Sequence, residues 1–235
     1  MAVAATIAGV AASATWATAA SIPHDHISRL TGTVSPDQAR FLPLLEVKNG
    51  CQPYAAVQDD GSSSGGLNDR GSESGGCRGN ETGQVIVRSQ CESSGICAHM
   101  YALFFPKDQG IVGGVAVPGV GHRYEFENVV VWVKGGAIAA VSFSHHRGYD
   151  IRTAADVTIR GTAVSVQYDT GGDTTHSLRP GDGGGSPMPA PVSLESVSAA
   201  ARATLNDPTT FGGIDFPERE DMFATKLSKA RPSWL

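Results

Sequence analysis

Between Gln84 and Tyr168 the chain carries five short apolar runs: QVIVR (84–88), AHMYALFF (98–105), FENVVVWV (126–133), AIAAVSFS (137–144) and TAVSVQY (162–168). Their β-branched and aromatic content and their short length predict strands. Lys134-Gly135-Gly136, between two of them, is a hairpin signal. VVVWV does not alternate apolar with polar positions, so its strand is expected to be buried on both faces. Towards the ends the pattern changes. Ser35-Pro36-Asp37-Gln38 is a helix start, with serine as N-cap and proline at the first helical position, although Ala39, Phe41, Leu42 and Leu45 give only a short stripe. Leu194, Val197, Ala200, Ala201, Ala203 and Leu205 predict another helix, favoured by its alanines. Residues 59–80 and 169–193 are glycine-rich loops, and a further loop is expected between Asp108 and Gly121. Strands in the middle with helices at the ends predict a β-rich α+β fold, a sandwich flanked by helices. A boundary inside 84–168 would cut the sheet, so residues 20–235 are expected to form one domain.

Residues 1–20 contain no charged side chain and end near the small-x-small pattern Ala17-Thr18-Ala19. They are read as a signal peptide cleaved after Ala19, spanning 1–19. Alanine, threonine and serine dominate the stretch, which makes a membrane-spanning helix the weaker reading. A secreted, extracellular protein follows. Charged residues make up 17% of the 235-residue chain against 40% hydrophobic, which excludes a disordered protein. The net charge of −5 offers no electrostatic footprint for nucleic acid or anionic lipid.

Cys51, Cys77, Cys91 and Cys97 form an even set in an exported chain, which implies two disulfides with three connectivities open. The sequential pairing is favoured. Cys51–Cys77 would close the Gly/Ser-rich segment 59–76, and Cys91–Cys97 would staple a short loop between two strands. Asn80-Glu81-Thr82 is a glycosylation sequon.

Candidate chemistry concentrates in Lys107-Asp108 and in Gly121-His122-Arg123-Tyr124-Glu125-Phe126-Glu127. Glu125 and Glu127, two apart on a strand, project from one face. Gly121 permits a turn that brings His122 towards them, and Asp108 follows the preceding strand. Carboxylates with one histidine favour a hard divalent cation, Mg²⁺ or Ca²⁺. The competing reading is a solvated acidic face whose carboxylates pair with Arg123 and Lys107. Two acids on the same strand face do not flank a scissile bond, and no nucleophile motif is present, so no enzyme activity is expected.

Several blocks, in order, resemble the necrosis- and ethylene-inducing-protein-like family. GHRYEFE (121–127) is similar to its heptapeptide GHRHDWE and is followed by the family-like NVVVWV. His99-Met100-Tyr101 through Phe105-Pro106-Lys107-Asp108-Gln109, Gly50-Cys51-Gln52-Pro53-Tyr54, and Ala200-Ala201-Arg202-Ala203-Thr204-Leu205-Asn206 with Phe211-Gly212 match further blocks. The resemblance implies a β-sandwich similar to actinoporins and fungal lectins. It also implies a secreted, monomeric, necrosis-inducing toxin that contacts the target membrane peripherally. By the same resemblance one cation would be held by Asp108, His122, Glu125 and Glu127, and the partners would be the sugar head groups of plant sphingolipids, the glycosylinositol phosphorylceramides. Arg123 and Tyr124 lie within the heptapeptide, and His176 matches a histidine of the family's later cavity loop. His146, with Gly148-Tyr149, resembles an HxGY turn, though an ordinary hydrogen-bonded histidine is the better reading.

The departures fall at the same site. Tyr124, Glu125 and Phe126 stand where the family has histidine, aspartate and tryptophan. Glu125 keeps the charge but displaces it by a methylene, which Ca²⁺ tolerates better than Mg²⁺. Around Gly171-Gly172-Asp173 there is no counterpart to the family's exposed tryptophan. These differences set a non-cytotoxic binding protein of the same fold beside the cytolysin as the alternative function.

Overall fold

Each of the five apolar runs becomes a strand, and most extend beyond the run that predicted them. The computed structural model describes residues 20–79, 83–112, 115–146, 148–170 and 177–235. The expected signal peptide, Asn80, His176 and the Gly171–Asp173 turn lie outside those residues. The longer strands are β1 (Leu44–Val47), β2 (Val85–Cys91), β3 (Ile96–Val112), β4 (Val115–Lys134), β5 (Ala137–His145), β6 (Gly148–Thr153), β7 (Ala163–Asp169) and β8 (Ser177–Pro180). They pair in the order β1-β7-β8-β5-β4-β3-β2, with β6 also beside β5. The sheet folds over where β8 meets β5 through the pair Ser177–His145. Across the resulting sandwich Phe105 of β3 stacks on Tyr168 of β7, with ring centroids 4.0 Å apart.

The VVVWV run is buried on both faces, as its lack of alternation requires. Val129, Val131 and Val133 join Tyr101, Leu103, Phe105, Val141 and Phe143 in the interior. Val130 and Trp132 point the other way, with Met100 and Ala140, and are covered by Phe223, Leu227 and Ala230 of helix α3 (Phe223–Ala230). Each of the valine, leucine, methionine and phenylalanine side chains among them contributes roughly 1.5–3 kcal/mol of transfer free energy. Ser142 Oγ accepts from Trp132 Nε1 at 3.0 Å and donates to the Ala230 carbonyl at 2.6 Å, which fastens the end of the helix to the sheet.

At the N-terminal side, helix α1 (Pro36–Arg40) is closed by a capping box: Ser35 Oγ accepts from the Gln38 amide and the Gln38 side chain accepts from the Ser35 amide. The alanine-rich helix α2 covers Ala199–Asn206, while Leu194, expected within it, sits in a preceding 3-10 turn and Val197 in the link to α2. The loop expected between Asp108 and Gly121 is instead largely the end of the β3–β4 hairpin, whose last described pair is Val112–Val115. Both expected disulfides are present. Cys51–Cys77 closes the Gly/Ser-rich loop, and Cys91–Cys97 joins register partners of β2 and β3.

Candidate cation and head-group site

The antiparallel register of β3 and β4 sets Asp108 opposite His122, Phe105 opposite Glu125 and Leu103 opposite Glu127. Gly121 makes this approach feasible, because a Cβ there would fall 2.5 Å from the Asp108 carbonyl oxygen. Tyr124 lies in the left-handed region at φ 65°, a conformation that costs a non-glycine residue about 1–2 kcal/mol. Its ring offsets that cost by packing edge-on to Phe211, at 5.6 Å between centroids, and over Gly66, where a Cβ would come within 2.6 Å of the ring. The reversed residue turns its carbonyl back to His122, whose Nδ1 donates to it at 2.8 Å. The other ring nitrogen, Nε2, stands 3.4 Å from Glu125 Oε2.

The three acids are deeply placed, with Asp108 0%, Glu127 3% and Glu125 6% exposed. Buried carboxylates require hydrogen bonds or a cation to offset their lost hydration. Glu125 Oε1 accepts from the Phe126 amide at 2.8 Å. Glu127 accepts from the Ser144 hydroxyl, which in turn accepts from the Asn128 amide at 2.9 Å. The Tyr149 hydroxyl donates to Asn128 Oδ1 at 2.8 Å and completes the chain. Behind this group Tyr168 is fully buried, and its hydroxyl has no hydrogen-bond partner among the described residues. Burial pushes its phenol well above the ordinary range, and the negative charges of Asp108, Glu125 and Glu127 push it further. Asp108, Glu125 and Glu127 thus lie within electrostatic reach of one phenol.

Glu125, Glu127, Ser144, His146 and Tyr149 line a polar cavity of about 40 Å³. That space holds roughly two or three waters, or one partly hydrated ion. His146 is exposed at its edge with φ 53°. Burial also raises the Tyr149 phenol, so it stays a hydrogen-bond donor. Arg123 and Lys107 turn to the Gly/Ser-rich loop. Arg123 bonds the Gly65 carbonyl and Asn68, and Lys107 bonds the Arg70 and Ser72 carbonyls at 3.2 and 2.8 Å. Both side chains anchor the loop closed by Cys51–Cys77, and Tyr124 turns to the same side.

Three carboxylates and one imidazole are the kind of donors that suit a hard divalent ion. Of the expected ligands, His122 pairs with Glu125 and Asp108 lies opposite His122 in the strand register, while Glu127 is bound to Ser144. Among the described residues no three His, Cys, Asp or Glu side chains stand close enough to form a ready-made metal shell. Ser144, Asn128 and Tyr168 were not anticipated from the sequence. The signal available was the serine pair in AIAAVSFS, polar at alternate positions of an otherwise apolar strand.

Residues 35–230 match the family model described as necrosis inducing protein (NPP1). The chain is 34% identical over 224 residues to NLP effector protein Pc576423 of Phytophthora capsici, covering 91% of this chain and 92% of the relative. It is 34% identical over 221 residues to necrosis-inducing protein NPP1 of Phytophthora nicotianae, covering 89% and 90%. Among solved structures it resembles Necrosis and Ethylene inducing Protein 2 from the causal agent of cocoa's witches' broom disease (TM-score 0.82, 30% identity, 91% and 99% covered). It also resembles NLPPya in complex with mannosamine (0.81, 34%, 91% and 100%) and the non-toxic HaNLP3 protein (0.80, 32%, 89% and 99%). With a β-sandwich of the same toxin fold and a family match across most of its length, this chain belongs to the necrosis-inducing protein (NPP1) family.

Proposed function

We propose that this protein is a secreted effector that binds one divalent cation, Mg²⁺ or Ca²⁺, and through it the sugar head group of a plant sphingolipid of the glycosylinositol phosphorylceramide class. The observation that carries the reading is the close approach of His122 Nε2 to Glu125 Oε2 beside a small polar cavity lined by the buried Glu125 and Glu127, with buried Asp108 opposite His122 in the strand register. A bound cation would offset the charge of these carboxylates and present open coordination positions to sugar hydroxyls. Asp108, His122, Glu125 and Glu127 would hold it, with His146 and Tyr149 at the cavity wall and His176 contributing from the later loop. Arg123 and Tyr124 act one step away, by fixing the backbone that aims His122 and Glu125. Complexes of NLPPya with mannosamine and with glucosamine support a sugar ligand for this fold. The two disulfides support export to an oxidising compartment.

Necrosis-inducing activity on plant tissue is part of the proposal, at reduced strength. Phe126 packs among Phe104, Phe211 and Phe216 at 5.0–5.3 Å, so replacing the family's tryptophan there leaves a packed core. Glu125 bears on the cation itself. The alternative, a non-cytotoxic binding protein, is favoured by that change and has a solved precedent of similar fold in the non-toxic HaNLP3. Infiltration of leaves with equal amounts of this protein and of a relative with the full GHRHDWE heptapeptide separates the readings. Weaker ion leakage is expected, its absence gives the non-cytotoxic protein, and equal leakage gives the unmodified cytolysin.

A further inference from the structure

Strands β3 and β4 continue past the sheet that carries them. β2 pairs with β3 no further than Leu103, and β5 pairs with β4 only from Val129 onward. Beyond these points the Cys51–Cys77 loop still bonds β3 at Phe104 and Pro106, and past Pro106 β3 and β4 remain paired with each other out to Val112–Val115. From Gly110 to Gly121 the ribbon sequence is GIVGGVAVPGVG, without one charged or hydrogen-bonding side chain. Val115 is 66% and Val120 39% exposed; the other exposed large hydrophobic among the described residues is Trp234 near the C-terminus.

We infer that this hairpin is a lipid contact, seated in the interfacial layer of a bilayer beside the head group bound at Asp108 and His122. The placement of the head group rests on the function proposed above, whereas the lipid contact itself rests on the hairpin. Continuity argues for it. Val120, exposed, is two residues from His122, so a head group held at the base lies against the apolar end of the hairpin. At about 3.3 Å per residue, Val112 extends about 13 Å beyond Asp108, enough to pass a head group and reach the acyl boundary. With a net charge of −5 and no basic residue in the ribbon, membrane attraction must come from apolar area.

Two other occupants fit less well. A protein partner would be expected to meet aromatic or arginine anchors and a polar rim, and the ribbon has neither. A second copy adding its own strand would meet Pro118, which has no N–H to give, and glycines that weaken strand pairing. The outer edges of a two-stranded ribbon leave backbone groups that hydrocarbon cannot satisfy, so the hairpin seats at the water-containing interface and does not span the bilayer.

The test compares the parent protein with Val115→Asp/Val120→Asp for co-sedimentation with vesicles of phosphatidylcholine, sterol and plant glycosylinositol phosphorylceramide. Calorimetric titration with Ca²⁺ is run on both. The inference expects vesicle binding to fall at least tenfold in the double variant while Ca²⁺ affinity is unchanged. Equal sedimentation of the two proteins, or no sedimentation of the parent, overturns it. Failure of both proteins to bind Ca²⁺ overturns the head-group reading alone, and the sedimentation comparison still decides the hairpin. In a second arm, Val115→Trp emission should be quenched by lipids brominated near the head-group end of the acyl chain. Absence of quenching, or a parent dimer in sedimentation velocity that the Asp pair dissolves without changing vesicle binding, overturns the lipid contact.

Discussion

His122 Nε2 lies 3.4 Å from Glu125 Oε2 while the opposite nitrogen of the same ring is committed to the Tyr124 carbonyl. A divalent cation bound beside this pair would take both the ring nitrogen and the carboxylate as ligands. His122→Ala should therefore weaken Ca²⁺ binding by tenfold or more with little loss of stability, because the ring is partly exposed. Calorimetry with Ca²⁺ and Mg²⁺ checks this, and Ca²⁺ is expected to bind more tightly here than to a relative with aspartate at the Glu125 position, given its tolerance of longer, less regular coordination.

Ser144 is the hydrogen-bonding support of Glu127. Its hydroxyl donates to that carboxylate and accepts from the Asn128 amide. Ser144→Ala leaves a buried acceptor and a buried donor short of a partner, which should destabilise the protein by about 1–3 kcal/mol. The same loss of orientation should lower cation affinity by roughly 10–100-fold, as seen for outer-shell partners generally. Urea unfolding and calorimetry on one preparation measure both effects.

Glu218 supplies a pH dependence remote from the site. Its side chain is 0% exposed, and neither carboxyl oxygen has a hydrogen-bond partner among the described residues. Burial first, then the charge of Glu195, raises its carboxyl well above the ordinary glutamate range, against an opposing pull from Arg88. The folded protein thus holds this proton over a pH range in which the unfolded chain releases it. Its contribution is intact below the ordinary glutamate range and is lost as pH rises through the elevated folded value. Glu218→Gln should match the parent near pH 4 and exceed it increasingly towards neutral and alkaline pH. Melting temperature against pH for the two proteins checks the sign.

The two disulfides should differ in weight. The Cys51–Cys77 loop separates its ends by 26 residues and the Cys91–Cys97 loop by 6. Chain-entropy reasoning gives about 3.5 kcal/mol for the first and about 2 kcal/mol for the second. Serine replacement of each pair, followed by denaturant unfolding, should reproduce that order.

Much of this architecture is legible in the chain because burial on both faces leaves an unmistakable run. VVVWV needs apolar residues towards the sandwich interior and towards α3, so no polar position interrupts it. Leu44–Val47 is different: four residues cannot display a period, and the strand exists because β7 lies parallel beside it. Helix α3 was missed even though Phe223, Leu227 and Ala230 are spaced for one buried face, since charged and polar residues fill the positions between. At the site, the i,i+2 spacing of Glu125 and Glu127 announced two acids on one face. It did not announce the left-handed Tyr124 that aims His122, because φ there is fixed by contacts with Phe211 and Gly66 from distant parts of the chain. Arg123 and Lys107 looked like counter-ions by proximity in sequence and instead bind loop carbonyls and Asn68, the loop being brought to them by the Cys51–Cys77 bridge.

The most direct test of the central claim is binding of the parent protein to immobilised vesicles containing plant glycosylinositol phosphorylceramide, measured in Ca²⁺ and again after a chelator is added. The account predicts binding in Ca²⁺ that is lost with chelator and in Glu127→Gln, and restored to the parent when Ca²⁺ returns. Binding that persists unchanged in chelator, or no binding to these vesicles in Ca²⁺, would contradict it.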